Sequence, residues 1–278
     1  MFLMTTKTKI SIAILISNAI LFFRKLFGFS EEIIVSRRGV RWKIDLREGI
    51  DLAIFLNVYE PKTFILWQRI IKKNYNILDI GANIGAHTLV LAKHVGSQGK
   101  VFAFEPTDFA FRKLNQNLEI NPSLRNRVEA SQIMLLDKNQ GQVPPEVYSS
   151  WPLSHDVAVH KLHRGNLRST DGASSMTLDR FVEEINIDRI DLIKMDVDGY
   201  ECQVLKGAVK ILADKSPIIV MELAPHQFAE FDCGIREILD IFTQFGYEFY
   251  SLLSEKKLPM DEKKLLDMIK HGAGMNII

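Results

Sequence analysis

Residues 76–106 read NILDIGANIGAHTLVLAKHVGSQGKVFAFEP, and this stretch decides the fold class. Its first segment, Asn76–Ile80, is short and apolar, which is typical of a buried parallel strand. Gly81 and Gly85 then mark a turn in which the backbone approaches a neighbour closely or takes a positive φ. A helix is predicted over residues 87–94, and two glycines follow it. Strand, turn and helix in this order predict an open α/β sheet.

The second strand of this unit is predicted over residues 100–104, and Glu105 and Pro106 stand at its carboxyl end. Ligands of open α/β sheets bind at the carboxyl ends of the strands. An acid in this place can accept hydrogen bonds from both hydroxyls of a ribose. The position of Glu105 therefore predicts a nucleoside ligand.

The glycine turn indicates which nucleoside binds. The run DIGANIG, from Asp79 to Gly85, lacks the G-x-G-x-x-G spacing of a dinucleotide site. The Asp79 carboxylate would repel a pyrophosphate and attract an ammonium, and the helix amino terminus beyond Gly85 can hold a carboxylate. S-adenosylmethionine carries a ribose, an ammonium and a carboxylate. The residues predicted to bind it here are Asp79, Gly81, Ala82, Asn83, Gly85, Thr88, Glu105 and Pro106.

The segments DIGANIGAHTLVLAK and VFAFEP resemble the FkbM family of class I S-adenosylmethionine-dependent methyltransferases. A YEP element, a TLD element and the block KMDVDGYE followed by VLKGA extend this resemblance. It implies a Rossmann-like fold, with helices on both faces of a mostly parallel seven-stranded sheet whose last strand is antiparallel. It also implies in-line methyl transfer, which we interpret as O-methylation of a sugar, glycan or polyketide-like small molecule.

The acceptor side is predicted at the end of the strand over residues 190–195. Asp196 and Asp198, two positions apart, point the same way if that strand continues. The resemblance places Asp196 near the reacting methyl group, where a hydroxyl acceptor requires a base within hydrogen-bond reach. Asp196 is therefore the first candidate for the base and a cofactor contact, and His226 and His155 are the next candidates.

Glu222 follows the next predicted strand, over residues 217–221, and is assigned to the acceptor with Asp198 and His155. Three carboxylates at adjacent strand ends repel one another unless one is protonated or a cation is bound. A divalent metal between Asp196, Asp198 and Glu222 is thus an open alternative, although no metal is expected.

Two further acids are candidates for cofactor contact. Glu60, in the YEP element, either lines the mouth of the site or opposes a helix dipole. The resemblance places residues 134–135 against the adenine ring and Asp137 at its amino group. A turn former is the alternative role for Asp137.

The pattern divides the chain into three regions. Residues 1–30 form an apolar N-terminal extension, residues 31–75 a hairpin with two helices, and residues 76–278 the methyltransferase domain. Within the last, strands are also predicted over residues 127–134 and over the largely apolar run 247–253. Residues 142–175 break the alternation of strands and helices and are interpreted as a loop on the substrate side, with a short strand over residues 157–159. The helix that follows this loop is predicted to have Thr177 or Ser175 as its cap.

Charge and cysteine usage narrow the function class. A net charge of +1 with 25% charged residues gives no sign of nucleic-acid binding. Cys202 and Cys233 are predicted to be free thiols in a reducing compartment, so a cytoplasmic protein is expected.

Residues 10–23 are uncharged, flanked by cations, and shorter than the ~20 apolar residues of a spanning helix. A helix docked on a partner or on the domain, an in-plane membrane helix and an uncleaved anchor are the three interpretations. We favour a helix docked on the domain or on a membrane surface, so that peripheral membrane contact through residues 10–23 is one expected outcome.

Two other function classes remain as alternatives. A Rossmann-like oxidoreductase is disfavoured by the glycine spacing. A non-catalytic scaffold is disfavoured because it would require none of Asp79, Glu105 and Asp196.

Overall fold

The computed structural model describes residues 6–149, 152–153, 165–231, 233–270 and 272–278. In chain order the strands are β1 (Glu32–Arg37), β2 (Val40–Asp45), β3 (Asn76–Ile80), β4 (Lys100–Phe104), β5 (Val128–Ser131), β6 (Ile133–Leu135), β7 (Glu146–Ser149), β8 (Asn166–Ser169), β9 (Ser174–Met176), β10 (Leu192–Met195), β11 (Ile218–Leu223) and β12 (Met275–Ile277). The α-helices are α1 (Thr6–Leu26), α2 (Gly49–Phe55), α3 (Pro61–Ile70), α4 (Thr88–Val95), α5 (Asp108–Glu119), α6 (Pro122–Arg125), α7 (Leu178–Ile185), α8 (Glu201–Lys206), α9 (Val209–Asp214), α10 (Pro225–Phe228), α11 (Ile235–Gln244) and α12 (Glu262–Met268).

The central sheet has the strand order β12-β11-β10-β3-β4-β5. Its strands run parallel except β12, which is antiparallel to β11. Alternate residues of each strand face opposite sides, so β3 contributes Leu78 and Ile80 to one hydrophobic cluster and Ile77 to another. Because helices cover both clusters, the predicted α/β fold with a mostly parallel sheet is confirmed.

The predicted seventh strand is much reduced. Residues 247–253 form no strand, but the amides of Tyr250 and Leu252 donate to the carbonyls of Ile278 and Asn276, beside β12. The chain then turns, with the Glu255 amide bonded to the Ser251 carbonyl at 2.7 Å. The turn begins inside the apolar run, which explains why the predicted strand does not form.

The N-terminal hairpin shares the core of the sheet. Its turn places Arg38 and Gly39 at φ values of 54° and 72°, the combination that a two-residue type I′ turn requires. On β2, Val40, Trp42 and Ile44 are buried, and they join the cluster that also contains Ile77 of β3. Residues 31–75 therefore pack onto the sheet and do not form a core of their own.

The helix α1 extends beyond the uncharged run on both sides. One face packs on the hairpin side through Ile16 and Ile20, and the Ser17 hydroxyl donates to the Leu46 carbonyl at 2.7 Å. Arg24 and Lys25 occupy its last turn, where cations complement the helix dipole. In the described part of the chain, no helix has both the length and the apolar character needed to cross a membrane.

The region between β5 and α7 differs from its prediction. The strand predicted over residues 127–134 divides at Gln132 into β5 and β6, and β6 leaves the central sheet to pair with β9. The predicted loop over residues 142–175 contains the antiparallel pair β7–β8 and the first two residues of β9. The short strand predicted over residues 157–159 lies outside the described residues.

The prediction of free thiols was wrong, because Cys202 and Cys233 form a disulfide. Cys202 lies in α8 and Cys233 lies just before α11, and these two helices pack together. Their Cα atoms are 6.4 Å apart, within the range that a disulfide spans. The packing of α8 against α11, two helices distant in sequence, brings the cysteines together. The spacing of the two cysteines along the chain therefore did not predict the disulfide.

Candidate active site

A cavity of about 230 Å³ opens at the carboxyl ends of β3, β4 and β10. Its wall combines the glycine turn, the end of β4, the strand β6, the strand β7 and the segment after β10. The predicted site residues that line it are Gly81, Ala82, Asn83, Glu105, Pro106, Asp196 and Asp198. Predicted residues from three separate sequence blocks therefore meet where the fold predicts a ligand.

The turn after β3 brings backbone very close to the segment after β10. Gly81 has φ of +74°, and a methyl group on its Cα would overlap the carbonyl oxygen of Asp196. The amides of Gly81 and Ala82 donate to the Phe104 carbonyl at 3.0 and 2.9 Å. Only glycine fits this position, and the fixed turn forms the floor of the cavity.

Glu105 is a buried carboxylate on the wall of the cavity. One oxygen accepts the Asn83 amide at 2.9 Å, and the other accepts the Thr107 amide at 2.9 Å and the Thr107 hydroxyl at 2.5 Å. Burial raises the pKa of Glu105, and these hydrogen bonds only partly offset that rise. The bonds fix the carboxylate at the end of β4 with one face toward the cavity.

Asp79 lies beneath the turn and has no exposed surface. It accepts a hydrogen bond from the Thr88 hydroxyl at 2.6 Å, and the Lys194 ammonium is 3.4 Å from its other oxygen. The sequence predicted that Asp79 faces the ammonium of a ligand, whereas in the structure it faces the ammonium of Lys194. The hydrogen bond between Asp79 and Thr88 stabilises the turn from beneath. Gly85 packs against side chains of α4 and α5.

Asp196 and Asp198 both lie beyond the end of β10. The strand ends at Met195, and Asp198 takes φ of +49° in the following turn. Asp196 keeps 43% of its side chain exposed, 3.7 Å from the Lys194 ammonium. Asp198 accepts a hydrogen bond from the Gln227 side chain at 3.3 Å. The condition for the expected same-side arrangement is not met because the strand does not continue, yet both residues line the cavity.

The acids near the cavity carry less negative charge than the sequence implies. Burial, followed by the charge of Asp196, raises the pKa of Asp198 and of Glu222 to about 8. Burial likewise raises the pKa of Glu201 to about 7, although it accepts the Val197 and Gly199 amides. Protonation is therefore one available way of relieving their mutual repulsion.

The three carboxylates considered for a metal do not converge. Glu222 lies within β11 opposite Asn276 and does not line the cavity. Within the described ranges, a single group of three potential metal-binding residues has its ligand atoms within 4.8 Å of one another. This group consists of Cys202, Cys233 and Glu237. Two of these three residues are the bonded cysteines, so this group is not offered as a metal site.

The remaining predicted residues lie around or outside the cavity. Glu60 occupies the N-cap position of α3, and its carboxylate lies 3.3 Å from Nε2 of His87. Asp137 is exposed and does not line the cavity, although Met134 does. His226 belongs to α10 and is not a lining residue, and His155 lies outside the described residues.

Several lining residues were missed by the sequence reasoning: Tyr59, His87, Tyr148, Ser149, Lys194, Tyr200 and Phe231. Ser149 comes from β7, in the predicted loop, and its hydroxyl is 3.3 Å from the Asn83 side-chain nitrogen. Tyr200 and Phe231 are in contact, with tilted rings whose centroids are 4.2 Å apart. Lys194 had the clearest available signal, since it interrupts an otherwise apolar strand directly before Asp196.

His87 is held in one tautomer. The indole N–H of Trp67 donates to its Nδ1 at 3.1 Å, and an indole nitrogen can only donate. The proton of His87 is therefore on Nε2, which faces the Glu60 carboxylate at 3.3 Å. Residues of α3 thus fix a side chain on the wall of the cavity.

A family model and two relatives that resemble this chain are all methyltransferases. The sequence model of the methyltransferase FkbM domain matches residues 79–249. Hexuronic acid methyltransferase AglP of Haloferax volcanii is 25% identical over 201 residues, covering 69% of this chain and 70% of that protein. The 2-O-methyltransferase NoeI of Sinorhizobium fredii is 27% identical over 180 residues, covering 61% and 71%.

Among solved structures, methyltransferase FkbM of Methylobacillus flagellatus KT aligns with a TM-score of 0.43 and 14% identity. The alignment covers 83% of this chain and 55% of that chain. This likeness is too distant to inform the site. The match to the family's sequence model does bear on the site, because residues 79–249 include the glycine turn, Glu105 and Asp196.

Proposed function

Because the chain belongs to the FkbM methyltransferase family, we propose that it methylates a hydroxyl oxygen of a sugar, glycan or polyketide-like small molecule. As a member of that family it is an S-adenosylmethionine-dependent methyltransferase. The observation that carries the finer proposal is the meeting of the glycine turn, Glu105 and Asp196 in one cavity. The names of the two relatives, a hexuronic acid methyltransferase and a 2-O-methyltransferase, support a sugar hydroxyl as acceptor.

The cavity has features that fit S-adenosylmethionine. Glu105 presents a fixed carboxylate for the ribose hydroxyls, and Met134 and Leu135 supply an apolar wall for the adenine. The turn from Gly81 to Asn83, which leaves no room for a Cβ at Gly81, would hold the methionine end. When bound, this cofactor supplies an electrophilic methyl group on sulfur.

The protein's contribution to the reaction is positioning and proton transfer. A cavity walled on several sides would limit the directions from which an acceptor hydroxyl can reach a bound methyl donor, and in-line transfer requires such positioning. We assign Asp196 as the base, because its carboxylate lines the cavity and is partly exposed for contact with an acceptor. His226, the second candidate, lies in α10 and is not a lining residue.

Incubation with methyl-labelled S-adenosylmethionine and a panel of glycosides and polyketides tests the proposal. Mass spectrometry should find the label on an oxygen of at least one acceptor. Label on carbon or nitrogen alone would contradict O-methylation. Failure of the folded protein to bind the cofactor in calorimetry would instead support a non-catalytic scaffold, and nicotinamide binding would support the oxidoreductase alternative.

Replacing Glu105 with Ala is expected to weaken S-adenosylmethionine binding by about 1–3 kcal/mol. The expected loss is that of a hydrogen-bonding partner for a polar ligand group in a buried site. Isothermal titration calorimetry measures the change. The matched control is Glu129→Ala, which removes an exposed acid from the neighbouring strand β5. Equal affinities for both variants would remove Glu105 from the ribose role.

We also propose that α1 rests on the surface of an anionic bilayer. Beyond its packed face α1 exposes the large apolar side chains of Leu15, Phe22, Phe23 and Leu26, and Phe27 and Phe29, which follow the helix, are also exposed. Residues 1–30 carry four cations and no acid, which complements anionic headgroups.

The full chain is expected to co-sediment with vesicles of phosphatidylglycerol and phosphatidylcholine more strongly than with phosphatidylcholine alone. The double variant Phe22→Ser/Phe23→Ser should bind the vesicles less strongly, because the two substitutions remove apolar area from the contact. Leu253→Ser, at an equally exposed site near the other end of the chain, is the control. Unchanged sedimentation of the double variant would exclude α1 as the contact.

A further inference from the structure

Lys194 is a lysine buried in the central sheet, 6% exposed, with Ile193 and Met195 as apolar neighbours. It lies in β10 directly opposite Asp79 of β3. Its ammonium reaches the carboxyl edge of the sheet and lines the cavity. Among the lining residues that the structure describes, it is the one lysine or arginine.

A buried ammonium is costly unless it is paired and hydrogen-bonded. Burial lowers the pKa of Lys194, but the carboxylates of Asp79, Asp196 and Glu60 raise it more, so the net shift is upward. The side chain therefore remains charged. Pairing with the fully buried Asp79 alone would already neutralise it.

The ammonium makes contacts beyond that pair. It donates to the carbonyl oxygen of Gly81 at 2.8 Å, which anchors the first residue of the glycine turn. It also lies 3.7 Å from a carboxylate oxygen of Asp196. The same two residues touch through the backbone, since Gly81 has no room for a Cβ beside the Asp196 carbonyl. One cation thus connects the cofactor turn with the assigned base.

We propose that Lys194 is a positioning residue that holds the Asp196 carboxylate in a fixed place relative to the Gly81 turn. This inference rests on the proposed function, in which Asp196 accepts the proton of the acceptor. Displacement of a reacting group by about 1 Å can cost about 10²-fold in rate. A lysine with this role affects turnover through Asp196 while cofactor binding is largely preserved.

The single variant Lys194→Met would leave Asp79 buried without a cation, and that variant can fail to fold. The test therefore uses Asp79→Asn as the reference and compares it with Asp79→Asn/Lys194→Met. Both proteins lack the buried carboxylate, and they differ only in the ammonium. Thermal unfolding of the two variants verifies that they are comparably folded.

The double variant is expected to turn over about 10–100-fold more slowly than Asp79→Asn. Its dissociation constant for S-adenosylmethionine should change by less than about threefold. Asp79→Asn/Lys194→Arg, which restores a cation, should recover part of the turnover. A structural role alone would lower stability and cofactor affinity together with turnover, and that result would overturn the proposal, as would equal turnover of the two variants.

Crystal structures of the two variants give a readout that does not depend on activity. The Asp196 carboxylate should leave its position, or take two orientations, in Asp79→Asn/Lys194→Met only. An unmoved Asp196 carboxylate would refute the positioning role. Absence of any methylated product from the wild-type protein would count against the proposed function, and the crystallographic comparison would still decide the role of Lys194.

Discussion

Replacing Asp196 with Asn is expected to lower the turnover of methyl transfer by about 10²–10⁴-fold, the usual contribution of a positioned general base. The Asn side-chain amide has nearly the shape of the carboxylate, but it is too weak a base to take up the proton of the substrate hydroxyl. The affinity for S-adenosylmethionine should fall much less, since the turn and Glu105 are unchanged. Steady-state kinetics and calorimetry on the same preparation measure both quantities.

A matched control for this substitution is Asp267→Asn, at an exposed position of α12 away from the cavity. It should retain wild-type turnover. The opposite pattern for Asp196→Asn, a large loss of cofactor affinity with turnover preserved at saturation, would make Asp196 a binding residue. His226 would then become the first candidate for the base.

Replacing Gly81 with Ala is expected to remove measurable cofactor binding and to destabilise the fold. An L-residue at φ of +74° costs about 1–2 kcal/mol, and overlap with the Asp196 carbonyl adds about 1–3 kcal/mol. Because that carbonyl belongs to the backbone, relief requires the turn and the segment after β10 to separate. Chemical denaturation measures the stability, and calorimetry measures cofactor binding.

Gly246 provides a closely matched control. It has the same φ of +74°, but a Cβ there would meet nothing within 4 Å. Gly246→Ala should therefore show only the cost of the left-handed backbone and should bind the cofactor normally. Equal destabilisation by the two substitutions would mean that the close approach at Gly81 is unimportant.

The elements around the glycine turn were predictable because their causes are local. The strands β3 and β4 were predicted with their exact bounds, since buried parallel strands are short apolar runs. The turn residues Gly81 to Asn83 were identified from glycine spacing. In the same way, Thr177 or Ser175 was predicted as a helix cap, and the structure has Thr177, whose hydroxyl accepts the Arg180 amide at 3.1 Å.

The features that sequence reasoning missed depend on contacts between distant segments. The pairing of β6 with β9 and the disulfide of Cys202 with Cys233 are examples, since neither leaves a local pattern. Asp79 was predicted to face the ammonium of a ligand, whereas the structure places the Lys194 ammonium 3.4 Å from it. The alignment of β10 with β3, which supplies Lys194 in that place, is set by strand order and register.

The shared core of the hairpin and the sheet determines where this chain can be cut. The family match begins at Asp79, yet Trp42, Ile44 and Trp67 cover the sheet face that carries Ile77. A fragment starting at Asp79 would lack most of β3, would expose the rest of that face to water and would lose the Trp67 hydrogen bond that orients His87. An expression fragment intended to retain the cofactor cavity should therefore begin before β1, well upstream of the segment by which the family is recognised.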